Sequence, residues 1–128
     1  MQYEYFYGAQ AEQFSFYRIP KALFTVPNFR ELSTDAKVLY GILLDRMSLS
    51  LKNQWLDAQN KVYIIFTVDE IMDALNCANQ KATRLMVELE KQAGLIERKR
   101  QGLGRPNLIY VKNFAATIND KSCEKGDS

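Results

Sequence analysis

The sequence predicts an α+β domain, mainly helical and closed by one β-hairpin. Three observations predict it. A long apolar pattern at helical spacing fills residues 33–50, two short amphipathic segments follow one another between residues 67 and 93, and two β-type runs flank the turn GLGRP. At 128 residues the chain matches one domain on a prior of roughly 100–200 residues each. A chain of that length buries about 65% of its unfolded surface, enough for a core without disulfide or metal staples. Apolar residues make up 47% of it and charged residues 25%, the balance of an ordinary globular protein.

Residues 1–28 read as an aromatic-rich, partly extended N-terminal arm. Tyr3, Tyr5, Phe6, Tyr7, Phe14, Phe16, Tyr17 and Phe24 all fall within it, whereas disordered leaders are poor in aromatics. Phe14 and Phe16 alternate with Ser15 and Tyr17, the pattern of a short strand that Pro20 ends; Tyr3, Tyr5 and Tyr7 alternate in the same way. Two packings are open. The arm lies on its own domain, or it lies on a second copy, because so much aromatic area is hard to hide on a small domain.

Ser33 then opens a helix, with Asp35 in its first turn and Ala36, Leu39, Tyr40, Leu43 and Met47 repeating at helical spacing. The pattern is apolar over much of its girth, which predicts a central, buried helix. Gly41 costs about 1 kcal/mol there relative to alanine, and it points to a close helix crossing. LKNQWLDAQNK reads as a polar connection or small hairpin anchored by Trp55. VYIIFT, residues 62–67, is β-branched and aromatic and predicts a strand.

Thr67 caps the next helix, VDEIMDALN, with Glu70 completing a capping box and Ile71, Met72 and Leu75 on the apolar face. Asn76-Cys77-Ala78 is a tight connection. Asn79 caps a second helix whose inner face is Ala82, Leu85, Met86 and Leu89, and Gly94 supplies the left-handed position after its end. Two short helices joined by so short a turn make a helix-turn-helix. LIERKRQ and NLIYVKNF then form a β-hairpin around GLGRP. A helix-turn-helix followed at once by a hairpin is the chain order of a winged helix, the hairpin being the wing. Residues 29–114 therefore form a winged-helix domain. The tail, residues 115–128, has a linker's composition, so the chain reads as one module of something longer.

The net charge of +2 is unevenly spread. Residues 1–78 carry seven Lys and Arg against nine Asp and Glu, whereas residues 79–113 carry eight against three acids, Glu88, Glu90 and Glu97. Positive charge gathered on one segment of a near-neutral chain is the footprint of a polyanion-binding surface. The chain has no histidine, which excludes His-based acid–base and nucleophile chemistry. The two cysteines, Cys77 and Cys123, form no C-x-x-C pair, so no metal site, cofactor or disulfide framework is expected, and a cytoplasmic setting is. No apolar run approaches the roughly 18–20 residues of a membrane helix, and MQYEYFYGAQ lacks the features of a signal peptide. A non-catalytic domain is expected, with Asp69, Glu70 and Asp73 read as a helix's first turn and solvent face.

The segments FSFYRIPKALF, FRELSTDAKVLYGILLDRMSLS, VYIIFTVDEIM and LIERKRQGLGRPNLIYVKNF, together spanning about residues 14–114, resemble the N-terminal domain of RepA-type (RepA_N family) plasmid replication initiators of Gram-positive bacteria. The resemblance implies a winged helix that binds double-stranded DNA at repeated origin sites (iterons). It implies a separate C-terminal domain, absent from this chain, through which host replication machinery is engaged. It also implies assembly through the N-terminal domain, which favours self-association through the arm, with Tyr3, Tyr5, Tyr7, Phe14, Phe16 and Tyr17 as its contacts.

A recognition helix offers its N-terminal half to the major groove. Here residues 79–92 present Gln80, Lys81, Thr83 and Arg84 for base reading: Gln suits adenine, Lys or Arg suits guanine, and a Thr methyl meets a thymine methyl. Asn79 is a cap or a backbone contact. On the wing, residues 98–107, Arg105 sits at the tip for the minor groove or the backbone. Arg98, Lys99 and Arg100 alternate across the strand and do not all face DNA; Lys99 with either Arg98 or Arg100 are the phosphate candidates, the remaining Arg pairing with Glu97 or a helix. Lys112 is a further backbone candidate. The rival readings are a winged-helix transcriptional repressor, which the same residues serve equally well, and a primosome-type winged helix used for protein contacts, which predicts weak, unselective DNA binding.

Overall fold

A computed structural model describes residues 2–8 and 13–115. In chain order it contains α1 (Ala22–Thr25), a 3₁₀ turn (Pro27–Phe29), α2 (Thr34–Lys52), α3 (Val68–Leu75), α4 (Asn79–Val87), a π turn (Glu88–Gln92) and the antiparallel pair β1 (Ile96–Lys99) and β2 (Leu108–Val111). Ile96 pairs with Val111 and Lys99 with Leu108, leaving the wing turn between them. The expected tail lies almost wholly outside the described residues.

α2 forms where the periodicity places it. The Ser33 hydroxyl accepts the backbone N–H of Ala36 at 3.1 Å, and Asp35 sits in the first turn. Its residues Ala36, Leu39, Tyr40 and Leu43 are buried, and Leu23, Ile71, Leu85, Leu89, Ile96 and Ile109 close around them in one core. Gly41 is explained differently from expectation. A Cβ there would stand 2.8 Å from Ile19 Cγ1 and 3.0 Å from the Arg18 carbonyl oxygen, so the close approach is by the incoming arm, not by another helix. α2 is tied to α3 by Arg46, whose guanidinium lies 4.6 Å over the Phe66 ring and 3.6 Å from the Glu70 carboxylate.

Of the two forms open to residues 51–61, a polar connection or a small hairpin, the segment takes the second, closed by a single bridge. Leu56 bridges Val62, and Asp57 Oδ1 accepts the backbone N–H groups of Gln59 and Lys61 at 2.8 and 2.9 Å. Trp55 stacks on Tyr63 with ring centroids 6.2 Å apart, and the Tyr110 hydroxyl donates to Asp57 Oδ2, anchoring the hairpin to β2. The hydrogen bond from Lys61 leads the causes that hold the Asp57 carboxyl below its ordinary value. The strand expected at residues 62–67 does not form as a continuous element. Val62 pairs with Leu56 and Ile64 with Ile109, one bridge each, so the segment changes partner before Thr67 turns it into α3. The strands expected in the arm are also absent among the described residues: Phe14, Phe16 and Tyr17 are exposed and unpaired to any strand. A strand needs a neighbouring strand to take its backbone hydrogen bonds, and no strand of the described residues lies against 14–17.

The helix-turn-helix closes as read. Thr67 and Glu70 form the full capping box, and Asn76 takes a left-handed conformation that ends α3. Asn79, however, is the first residue inside α4 and Ala78 holds the cap position, with no side-chain cap bond. Asn79 Oδ1 instead accepts from the Thr83 hydroxyl at 3.5 Å. The second helix is not uniform either. It passes into a π turn at Glu88, where the Ala93 N–H reaches the Glu88 carbonyl, before Gly94 takes φ +68°.

Candidate nucleic-acid interface

α4 presents two unlike edges. Lys81, Leu85 and Glu88 follow one another at helical spacing and face the start of α2. Leu85 is buried, Lys81 Nζ lies 2.7 Å from Asp35 Oδ2, and the Glu88 carboxylate accepts both the backbone N–H of Ser33 and, at 3.0 Å, its hydroxyl. Glu88 thus acts as a second cap on α2, reaching it from the π turn. Gln80, Thr83, Arg84 and Val87 form the other edge, and all are exposed. On that edge Gln80 and Arg84 carry polar side chains exposed to solvent, and the Thr83 hydroxyl is bonded to Asn79.

A cleft of about 260 Å³ between α3 and the wing is lined by Thr67, Val68, Met86, Arg98, Arg105 and Asn107. In β1, Arg98 turns inward: its Nε and a terminal nitrogen both lie 2.8 Å from Glu90 Oε1, and its backbone N–H reaches Glu90 Oε2. Partial burial pushes the Glu90 pKa up. The Arg98 hydrogen bonds and charge outweigh it and hold that carboxyl below its ordinary value. Lys99 and Arg100 are exposed, as are Arg105 and Lys112. Among the described residues, Arg84, Lys99, Arg100, Arg105 and Lys112 form no ion pair. Lys112 has a second role through its backbone, whose carbonyl accepts the Tyr40 hydroxyl at 2.7 Å; burial pushes the Tyr40 pKa up to about 12.

The residues expected at the interface therefore divide. Gln80, Thr83 and Arg84 share one exposed edge; Lys99, Arg100 and Arg105 are exposed on the wing, and Lys112 at the base of the hairpin, beside Leu95; Lys81 and Arg98 are engaged by Asp35 and Glu90. Asn79 is exposed at the start of α4. The alternative left open for the strand is resolved at the level of geometry: Arg98 is the arginine that pairs, and its partner comes from the π turn, not from Glu97. Two exposed apolar side chains were not singled out by sequence reasoning: Val87, on the same edge of α4 as Gln80 and Arg84, and Leu103, in the wing turn. Helical spacing from Gln80 and Thr83 is the signal that finds Val87, and the flanking glycines are the signal that finds Leu103. No group of acidic, cysteine or histidine side chains suited to a metal ion occurs among the described residues, and no helix there is long and apolar enough to cross a membrane.

A helix-turn-helix with an exposed polar face on its second helix, followed by a cationic hairpin, is the make-up of a DNA-binding winged helix-turn-helix, and comparison with known proteins narrows the class. The family profile described as "Replication initiator protein A (RepA) N-terminus" matches residues 15–125. The chain belongs to that family. It is 33% identical over 103 residues to a 41 kDa protein of Lactobacillus helveticus, an alignment covering 80% of this chain and 28% of that one. Among solved structures, an N-terminal domain of a DNA-binding protein is 35% identical, with 99% of this chain and 98% of that chain covered and a TM-score of 0.73. A Rep-DNA complex is 35% identical, with 98% of each chain covered and a TM-score of 0.72. An MDR initiator is 38% identical, with 93% of this chain and 98% of that chain covered and a TM-score of 0.67.

Proposed function

We propose that this domain binds double-stranded DNA at the repeated sites of a plasmid replication origin, as a non-catalytic module. α4 enters the major groove and reads bases through Gln80, Thr83 and Arg84, while Lys99, Arg100, Arg105 and Lys112 hold phosphates. The observation that carries the reading is the pair of exposed, ion-pair-free sets, Gln80, Thr83 and Arg84 on one face of α4 and Lys99, Arg100 and Arg105 on the hairpin that follows it, in a member of the initiator family. Likeness over nearly its whole length to a chain solved as a Rep-DNA complex supports it. A repressor would use the same surface, and family membership favours the initiator. On this reading, engagement of host replication machinery belongs to a C-terminal domain outside these residues.

Residues 1–28 serve as an arm, residues 29–114 as the DNA-binding unit and the tail as a linker. The arm leaves Tyr5 82%, Phe14 54%, Phe16 62% and Tyr17 56% exposed, aromatic area that its own domain does not cover. We assign it to contacts between copies on adjacent repeats, where linked weak sites give avid occupancy. Quantitative footprinting on a duplex carrying tandem origin repeats, against a shuffled duplex, tests both statements. Selective, cooperative protection is expected from the full chain, and selective but non-cooperative protection after deletion of residues 1–13. Equal protection of both duplexes contradicts the function, and cooperativity that survives the deletion contradicts the role of the arm.

A further inference from the structure

The wing turn holds one side chain that the fold does nothing with. Leu103 has a relative exposure of 104%, against 55% for Leu51, the next most exposed leucine among the described residues. The turn around it is well made. The Gln101 side-chain amide donates to the Pro106 carbonyl at 2.7 Å and closes the base of the loop, and the Arg105 N–H reaches the Gly102 carbonyl at 3.2 Å. Leu103 and Gly104 are the two central residues of that inner turn. Gly102 at φ +122° and Gly104 at φ +78° take conformations that residues with a Cβ rarely adopt, so the glycines on either side of Leu103 are required by the backbone. Exposed Arg100 and Arg105 flank them.

An aliphatic side chain standing alone at the tip of a braced turn, with a cation on each side, matches the chemistry of the minor groove. The sugar–phosphate backbones that wall that groove carry phosphates along its rims, which suit the two arginines, and apolar wedges such as leucine enter between base steps there and kink the duplex. We propose that Leu103 is such a wedge. It inserts at one base step beside the recognition helix, partly unstacks it and bends the DNA, while Arg100 and Arg105 grip the backbones on either side. The proposal rests on the DNA-binding reading above and adds a deforming activity to it. Pyrimidine–purine steps are the cheapest to unstack, so one such step is expected where the wing lands.

The test uses the full chain and a duplex enriched by that chain from a random library. The duplex carries 2-aminopurine at successive positions and a donor–acceptor dye pair at its ends, and anisotropy follows binding in the same titration. With the unaltered protein and L103M, 2-aminopurine is expected to brighten at one step and the ends to approach each other. With L103A both signals are lost, affinity falls by less than about tenfold, and the salt slope is unchanged because no phosphate contact has gone. A single mismatch placed at that step tightens binding of the unaltered protein and leaves L103A unaffected. The substitution lies at a fully exposed position, so an unchanged melting temperature shows that folding is intact. Binding that leaves every position dark and the duplex straight overturns the wedge alone, as does an L103A variant that bends and brightens like its parent. Failure to enrich or bind any duplex overturns the DNA-binding reading with it.

Discussion

Lys81 and Arg84 stand one turn apart on α4 and meet different surroundings. Lys81 is held by Asp35 across the junction with α2, whereas Arg84 forms no ion pair among the described residues. Replacing Arg84 by alanine is therefore expected to cost about 1–3 kcal/mol in DNA binding and to relax selectivity at one base pair. Replacing Lys81 is expected to cost less, because that side chain must leave Asp35 to reach DNA; both are half-exposed, and such pairs are worth about 0–1 kcal/mol. Competition anisotropy with single-base variants of the site checks both values. A larger loss for K81A than for R84A would reverse the assignment. The sequence places Gln80, Lys81, Thr83 and Arg84 on one outer face, and of these Gln80, Thr83 and Arg84 are exposed whereas Lys81 is partly buried. The engagement of Lys81 was not legible in the sequence, since helical periodicity says which face a residue occupies and nothing about the acid that another element brings to it.

At the scale of elements, the Ser33 and Thr67 caps were legible, whereas the Asn79 cap falls one residue early, on Ala78, and the interruptions were not legible. The Thr67–Glu70 capping box is written in adjacent residues and forms as read. The π turn has no such local signature; it accompanies two acids, Glu88 and Glu90, that bond to different neighbours, Ser33 and Arg98. Likewise the run 62–67 has the composition of a strand, but its pairing depends on how far Leu56 and Ile109 extend beside it. Gly41→Ala sets two effects against each other. Helix propensity favours alanine by about 1 kcal/mol. The Arg18 carbonyl at 3.0 Å and Ile19 at 2.8 Å oppose it, and overpacking costs typically 1–3 kcal/mol, so net destabilisation is expected on urea titration. A stabilised variant would show that the arm yields without cost.

Glu90→Gln tests the brace behind the wing. Losing the charged hydrogen bonds to Arg98 is expected to cost roughly 1.5–3 kcal/mol of stability at neutral pH. The folded protein holds the Glu90 pKa below its ordinary value of 4.5, so the carboxylate stabilises the fold above that value. That contribution is lost as pH falls through 4.5 and then through the lower folded-state value. Urea titrations at neutral pH and at acidic pH should show the gap between parent and variant closing on acidification. A gap independent of pH would mean that the variant acts through packing.

For the whole molecule, chain order carried most of the information. One long helix, a β-type run, two short helices and a hairpin specify the winged helix-turn-helix, and the chain solved as a Rep-DNA complex and the solved MDR initiator share its fold. The course of the arm was not legible. Aromatic content argued against a disordered leader but did not say which surface would cover the rings, and within one copy Tyr5, Phe16 and Tyr17 remain more than half exposed. The central claim concerns the cationic surface as a unit. Arg84, Lys99, Arg100, Arg105 and Lys112 acting on phosphates or bases give an expected log–log salt slope of about −4 to −5 on the origin repeat. The direct measurement is fluorescence anisotropy of the repeat and of a shuffled duplex across a series of salt concentrations, with the parent chain and with R105A. The account predicts tighter binding to the repeat at every salt concentration, a slope in that range, and a slope shallower by about 1 for R105A. Weak binding that is equal for both duplexes, with a slope near zero, would contradict it.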